Sequence, residues 1–436
     1  MYRNKGTITV FLSLISMLFL SLFCTMAESV RVQAARFQAA AAFDMGLFSI
    51  FGEYDRVLLE EYDLWFLDGS SEEQKIREVL ETKLEKYIQP NINPRYNLAA
   101  GRSWDVFPTE LDRCTVDKYA LATDHGGQVF YSQAVENQKE LFVGEAASAL
   151  KKNIKQMEEG HQKGEEYQNE EQKADEEYQR AQAAQMEEKK RQESEKENAE
   201  KQEESDTDIK ETEAVQAKVE NPLDQIKKIK SMGILGLVLK DGTVVSDKTI
   251  ERKNLPSERN LQKGSLLVNE ISADPVSEAI FLNYLQKHFQ CAVDEGGKHQ
   301  KGSKEHSLSY ELEYIIGGQK SDRENLKKTV NRILLIREGM NYATLAKSAK
   351  MRGEAMALAA AITGAAALPE FAGALQKLLM LAWAYGESLL DVRTLLAKGK
   401  VPMLKAETEW KLPLEKLGML AEVLKECDAG GGNGQS

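Results

Sequence analysis

The chain has 436 residues, 57 Lys and Arg against 69 Asp and Glu, and a formal net charge of −12. This length is enough for two or three domains. With no basic surplus to neutralise phosphates, the composition argues against nucleic-acid binding, and four cysteines without a CxxC pair argue against a disulfide scaffold.

Thr7 to Ala27 is an uncharged run of 21 residues. A bilayer core about 30 Å thick needs about 20 helical residues, whereas a secretory apolar region needs only about 7 to 15. The run therefore reads as a transmembrane helix (7–27). Arg3 and Lys5 lie in the short segment 1–6, which the positive-inside rule places in the cytoplasm, so the bulk of the chain is expected outside the cell membrane. Cleavage before Glu28 is the alternative, because Thr25 and Ala27 are small. Phe23 before Cys24 argues against a lipoprotein. No Gly or Pro falls between Thr7 and Gly46, so the helix is expected to continue as an amphipathic stem (28–67). Its apolar stripe is Phe43, Leu47, Ile50, Tyr54 and Val57. That stripe packs on the chain's own outer domain or on neighbouring subunits, which would make the stem a route to homo-oligomers.

Residues 68–152 read as the first part of an extracytoplasmic domain. Ser71 and Gln74 have capping-box spacing before Ile76, Val79, Leu80, Leu84 and Ile88, a helix that Pro90 and Pro94 are expected to end. Two short strands are expected around Gly126 and Gly127. From Lys151 to Glu220 there are 13 Lys and Arg against 22 Asp and Glu, so −9 of the net charge sits in one stretch with few apolar side chains. It cannot offset its conformational entropy by burial. No sustained heptad seam supports a stable coiled coil, and residues 153–221 read as a disordered or helical spacer.

Residues 222–426 read as the second part of the domain. Asp241-Gly242 between apolar runs predicts a hairpin. Asp274-Pro275 predicts a capped helix start, with Phe281, Leu282, Leu285 and Phe289 on one face. Ser321 and Glu324 form a second capping-box pattern ahead of Leu326, Val330, Ile333, Leu334 and Met340. Ala355 to Leu368 is apolar but too short to cross a bilayer, and reads as a buried helix. A further helix starts at Pro369, carries Leu375, Leu379, Ala382, Leu389, Val392 and Leu396 at core spacing, and stops at Gly399. Residues 427–436 form a Gly-rich tail. The fold class expected is mainly α with a minor β component (α+β).

No Walker loop, nucleophile elbow, HExxH or dinucleotide fingerprint occurs. His288, Cys291, Asp294, Glu295, His299 and His306 are the densest set of metal-ligand residue types, but most sit in a loop-like stretch. Asp124-His125 has no nearby nucleophile. No catalytic, cofactor-binding or metal residue is therefore assigned, no cofactor is expected, and the chain is not read as an enzyme.

The segments "GTITVFLSL", "ESVRVQAAR", "FGEYDRVLLEEYDLWFLD", "YELEYIIGG", "NRILLIREGMN", "WAYGESLLDVR" and "GKVP" together resemble an uncharacterised domain-of-unknown-function family of Gram-positive bacteria, whose members accompany Tad/Flp pilus genes. The leader also resembles TadE/TadG-like pseudopilins. Phe11 stands five residues after Gly6, where the glutamate of typical pilins is expected. The resemblance implies a membrane-anchored accessory or minor component of a Tad-like pilus or secretion system, with protein partners from that system. The alternative is an anchored extracytoplasmic enzyme whose site no motif reveals.

Overall fold

Between Thr7 and Gly46 nothing interrupts the helical backbone, and helix α1 runs from Lys5 to Phe51. Its 47 residues span about 70 Å, and it is long and apolar enough to cross a membrane. The computed structural model describes residues 5–69, 76–92, 96–97, 103–104, 109–139, 145–200, 221–240, 242–251, 253, 255, 263–266, 274–293, 306–365 and 371–429. Residue contacts divide the chain into two units, 1–141 with 260–273, and 142–259 with 274–436. It is mainly helical.

In the first unit, α1 is followed by α2 (Arg56–Tyr62), capped by the Asp55 carboxylate, then α3 (Ile76–Ile92) and α4 (Asp124–Lys139). The α1–α3 contact is built from two four-residue ridges: Ala42, Gly46 and Ile50 meet Leu84, Ile88 and Ile92. A methyl on Gly46 would collide with Ile88, so the small residues set the approach. Only part of the expected stripe lies in this contact: Ile50 is buried, Leu47 packs beside it and Tyr54 is half-buried, but Phe43 and Val57 are exposed. Pro90 does not end α3. The helix continues two residues past it to Ile92, and the Asn91 side-chain amide adds a bond to Tyr87 O at 2.8 Å in this last turn.

The expected strands around Gly126 and Gly127 are instead the start of α4, where His125, Gly126 and Gly127 take positive φ. Among the described residues, strand pairing is a two-residue ladder, β1 (Tyr96–Asn97) with β2 (Ser103–Trp104), plus two isolated bridges. The expected β component is thus unsupported. The hairpin at Asp241-Gly242 fails too. Its first arm is the short helix α7 (Ile234–Val238), which follows α6 (Pro222–Ser231), and only the turn survives, with Gly242 at φ +85° and Thr243 N donating to Lys240 O. Burying Ile234, Leu237 and Val238 on one short helical face outweighs their strand propensity.

The second unit opens with α5 (Glu145–Glu200) and, after α6 and α7, continues through α8 (Pro275–His288), α9 (Glu311–Gly317), α10 (Asp322–Lys347), α11 (Ala349–Ala365), α12 (Ala372–Leu396) and α13 (Leu420–Ala429). Two of the three expected caps form: Asp274 accepts from Val276 N and Ser277 N at 2.8 Å, and Ser321 from Glu324 N at 3.3 Å, while Ser71 and Gln74 lie outside the described residues. The buried face of α8 is Ser277, Ala279, Ile280 and Tyr284, while Leu282 is exposed. In α11 only the stripe Met351, Ala355, Ala359 and Thr363 is buried, and Met356 is exposed, so this helix is half-buried rather than enclosed. Helix α12 is the central element, with Leu375, Leu379, Ala382, Leu389 and Val392 in the core as expected.

The largest departure concerns the acidic stretch. Its first half is a core helix rather than a spacer. Gly160, Gly164, Tyr167, Glu171, Ala174, Tyr178 and Ala181 recur at alternating intervals of four and three and form the buried or half-buried seam of α5. Large aliphatic residues are missing from that seam because the backbones themselves meet. A methyl on Gly164 would lie 2.7 Å from Leu335 O, and one on Gly339 of α10 would lie 2.6 Å from Lys163 O. Residues 201–220 lie outside the described residues.

Gly164→Leu should therefore force α5 off α10 and cost about 1–3 kcal/mol of stability. Glu187→Ala, on the exposed part of the same helix, should change it by less than about 0.5 kcal/mol. Chemical denaturation of the full chain in detergent distinguishes the two. Equal, small effects would return α5 to the status of a spacer.

Candidate functional site

Helical periodicity carries polar side chains into the core at two places on facing helices. In α12, Glu387, Ser388 and Asp391 lie within one turn of each other, and all three have no solvent exposure. In α10, Arg337 and Asn341 point at them from positions one turn apart. Asp391 Oδ2 accepts from Arg337 Nη2 at 2.7 Å, from Arg337 Nε at 3.0 Å and from Asn341 Nδ2 at 3.0 Å. Asn341 Nδ2 also donates to Ser388 Oγ at 2.9 Å.

The remaining partners come from the irregular chain after α12. Arg337 Nη1 donates to Pro402 O and Met403 O at 2.9 and 3.0 Å. Lys405, itself buried, bridges Glu387 Oε1 and Asp391 Oδ1. Glu387 then accepts from Lys411 N at 3.1 Å and Leu412 N at 2.8 Å, and Trp383 Nε1 donates to Leu412 O at 2.6 Å. Two carboxylates face two cations, so the cluster is neutral by formal charge.

A buried ion pair is worth its desolvation only when its geometry is complete, and its main yield is a unique register. Here that register belongs to residues 402–412, strapped over α10 and α12. Arg337, Lys405, Glu387 and Asp391 are all spent on one another or on backbone groups, in a sealed interior. The arrangement is suited to fixing the chain rather than to moving a proton or holding a substrate.

A second buried acid works the same way. Asp322, at the start of α10, accepts from Ser246 Oγ at 2.6 Å, Ser309 N at 2.9 Å and Tyr310 N at 3.2 Å. A cavity of about 220 Å³ nearby is lined by Val238, Val245, Tyr310, Leu326, Leu396 and Arg393, and Arg393 donates to Leu237 O at 2.9 Å.

The metal-ligand residue types singled out in the sequence are not brought together where they are described. His288 packs against Tyr284 with ring centres 4.5 Å apart, whereas His306 Nδ1 pairs with Glu311 Oε1 at 2.6 Å. Among the described residues no group of three His, Cys, Asp or Glu is placed to hold a metal ion. Asp294, Glu295 and His299 lie outside the described residues. Asp124 is spent on Leu121 N at 2.8 Å and Gly264 N at 3.0 Å. Burial, with Glu85 and Glu81 nearby, pushes the Cys114 thiol up, so it is a poor nucleophile.

Sequence reasoning missed the charged cluster because Arg337, Glu387 and Asp391 belong to no catalytic or ligand-binding motif. Their positions carried the signal. Arg337 and Asn341 share the spacing of Leu334 and Leu345, and Glu387 and Asp391 interrupt a run that is otherwise apolar from Leu378 to Val392.

A family model described as a family of unknown function (DUF5702) matches residues 212–436. That span contains the whole charged cluster but neither α1 nor α5. No curated protein matches the chain, and no solved structure does.

Lys405→Met should leave two buried carboxylates with one cation and destabilise the protein by about 3–5 kcal/mol. Adding Glu387→Gln should recover part of that loss, because one of the orphaned charges goes with it. Denaturant midpoints of the single and double variants measure both effects. A loss under about 1 kcal/mol for Lys405→Met would mean the strap is held by packing alone.

Proposed function

We propose that this chain, which belongs to the family of unknown function (DUF5702), is a single-pass, outward-facing membrane protein that serves as an accessory or minor structural component of a Tad/Flp-type pilus or secretion assembly. The topology is supported by Arg3 and Lys5, which flank the apolar run on its N-terminal side. The assembly context follows from the resemblance to a Gram-positive family that accompanies Tad/Flp genes and of the leader to TadE/TadG-like pseudopilins. Phe11, where a typical pilin has glutamate, argues for a minor rather than a major subunit.

The observation that carries this reading is the outer face of the stem. Val30, Phe37, Phe48 and Phe51 are 62–84% exposed. Their intervals of seven, eleven and three place them on the side of α1 opposite Ala42, Gly46 and Ile50, which pack on α3. Phe48 lies 21 residues beyond Ala27, about 30 Å along the helix, so lipid covering the span does not reach it. A row of phenylalanines in water marks a contact surface, and a neighbouring membrane-anchored helix is the occupant suited to a stripe continuous with the span.

A photo-crosslinking residue at Phe37 or Phe48 should give adducts with a second anchored subunit in intact cells. The same residue at Arg36, on another face, should give few. Adducts from neither phenylalanine, with normal membrane insertion, would overturn the assembly reading.

A further inference from the structure

Glu338 is an acid enclosed without a base of its own. It precedes Gly339 on α10, where α5 crosses, and is 8% exposed. Tyr167 and Glu171 of α5, Lys230 of α6 and Tyr385 of α12 lie within electrostatic reach of it. Tyr342, one turn further along α10, meets Tyr167 edge-on with ring centres 5.9 Å apart. The single cation of this group is already engaged. Lys230 Nζ is paired with the Glu171 carboxylate and lies 4.7 Å from the centre of the Tyr385 ring. Burial pushes the Glu338 carboxyl up to about 8, with Lys230 opposing the shift and Glu171 adding to it.

We propose that α5 and α10 form a proton-coupled latch, in which closing α5 over Glu338 requires a proton on that carboxyl and opening α5 releases it to water. The inference stands apart from the assembly reading.

The direction follows from linkage. In the open state Glu338 has the ordinary carboxyl value of 4.5, and in the closed state about 8. Between those values the closed state holds a proton that the open state has lost, so closure weakens about tenfold per pH unit. Below 4.5 both states are protonated and above 8 both are ionised, so the dependence vanishes at each end.

The contacts of α5 make it the element to move. Its seam is mostly glycine, alanine and tyrosine, and its polar ties among the described residues include the Lys230–Glu171 pair, the 3.0 Å bond from Tyr167 Oη to Leu381 O, a 3.4 Å bond from Asn221 Nδ2 to Tyr178 Oη and a long Lys227–Asp175 pair at the surface. Helices α10 and α12 are clamped to each other independently by Arg337 and Asp391.

Hydrogen exchange of the full chain in detergent, corrected for intrinsic rates, tests the latch. From about pH 5 to 8 the protection of peptides within Gly160–Ala181 should fall by about 400-fold, while peptides of α12 keep theirs. Glu338→Gln should hold α5 closed with a flat profile. Should that variant fail to fold, Glu338→Met, which also cannot ionise, replaces it. A flat wild-type profile, the same slope without the titrating carboxyl, or loss of α12 protection in step with α5 would each overturn the proposal.

Discussion

Side chains borne on helices, catching the backbone N–H groups of irregular chain, hold this fold together. Every non-proline residue brings a backbone donor that must be satisfied when buried, and with so little sheet among the described residues there are few strand acceptors to offer the connectors. Helix α3 supplies them in series: Glu81, Glu85 and Gln89, one turn apart, accept from Val116, Cys114 and Leu111. Asp322 does the same for Ser309 and Tyr310, Glu313 for Ala292, and Glu387 for Lys411 and Leu412. Gln133 goes further and imitates a strand edge, accepting from Trp65 N and donating to Trp65 O.

The consequence for function is a division of labour within the chain. The α10–α12 core with its strap is rigid because a buried carboxylate is tolerated only with all its partners in place. Helix α5 meets the same core through small residues and across the buried Glu338 of α10. Helix α1 buries its alanine and glycine face on α3 and leaves its phenylalanines outward. The family match covers the clamped C-terminal region, 212–436, whereas both elements suited to contact or movement lie before it.

Much of the helical content was legible in the sequence, because Asp274, Ser321 and the leucines of α12 give signals that depend only on local geometry. Which face each helix buries was harder to read. Large apolar residues pointed to Phe43 and Leu282 as core positions, yet close approach at glycines, side chain to backbone at Gly46 and Gly160 and backbone to backbone at Gly164 and Gly339, shapes the packing of α1 and α5, and glycine scores as nothing on a hydrophobic scale. The acidic stretch was misread for the same reason. Its seam of Gly, Ala and Tyr has heptad spacing without heptad residue types. In the charged cluster, the helical spacing of Arg337, Asn341, Glu387 and Asp391 was a legible signal, whereas Lys405 and the strap were not, since no helical period links them to these helices.

The most direct measurement is backbone exchange of the strap in Glu387→Ala, a variant in which Asp391 still pairs with both Arg337 and Lys405. Peptides spanning residues 404–416 are predicted to lose protection while peptides of α10 and α12 retain theirs, because Lys411 N and Leu412 N lose their acceptor. Unchanged protection in that segment would contradict the account, and would assign the strap to the packing of Leu412, Leu414 and Leu417 instead.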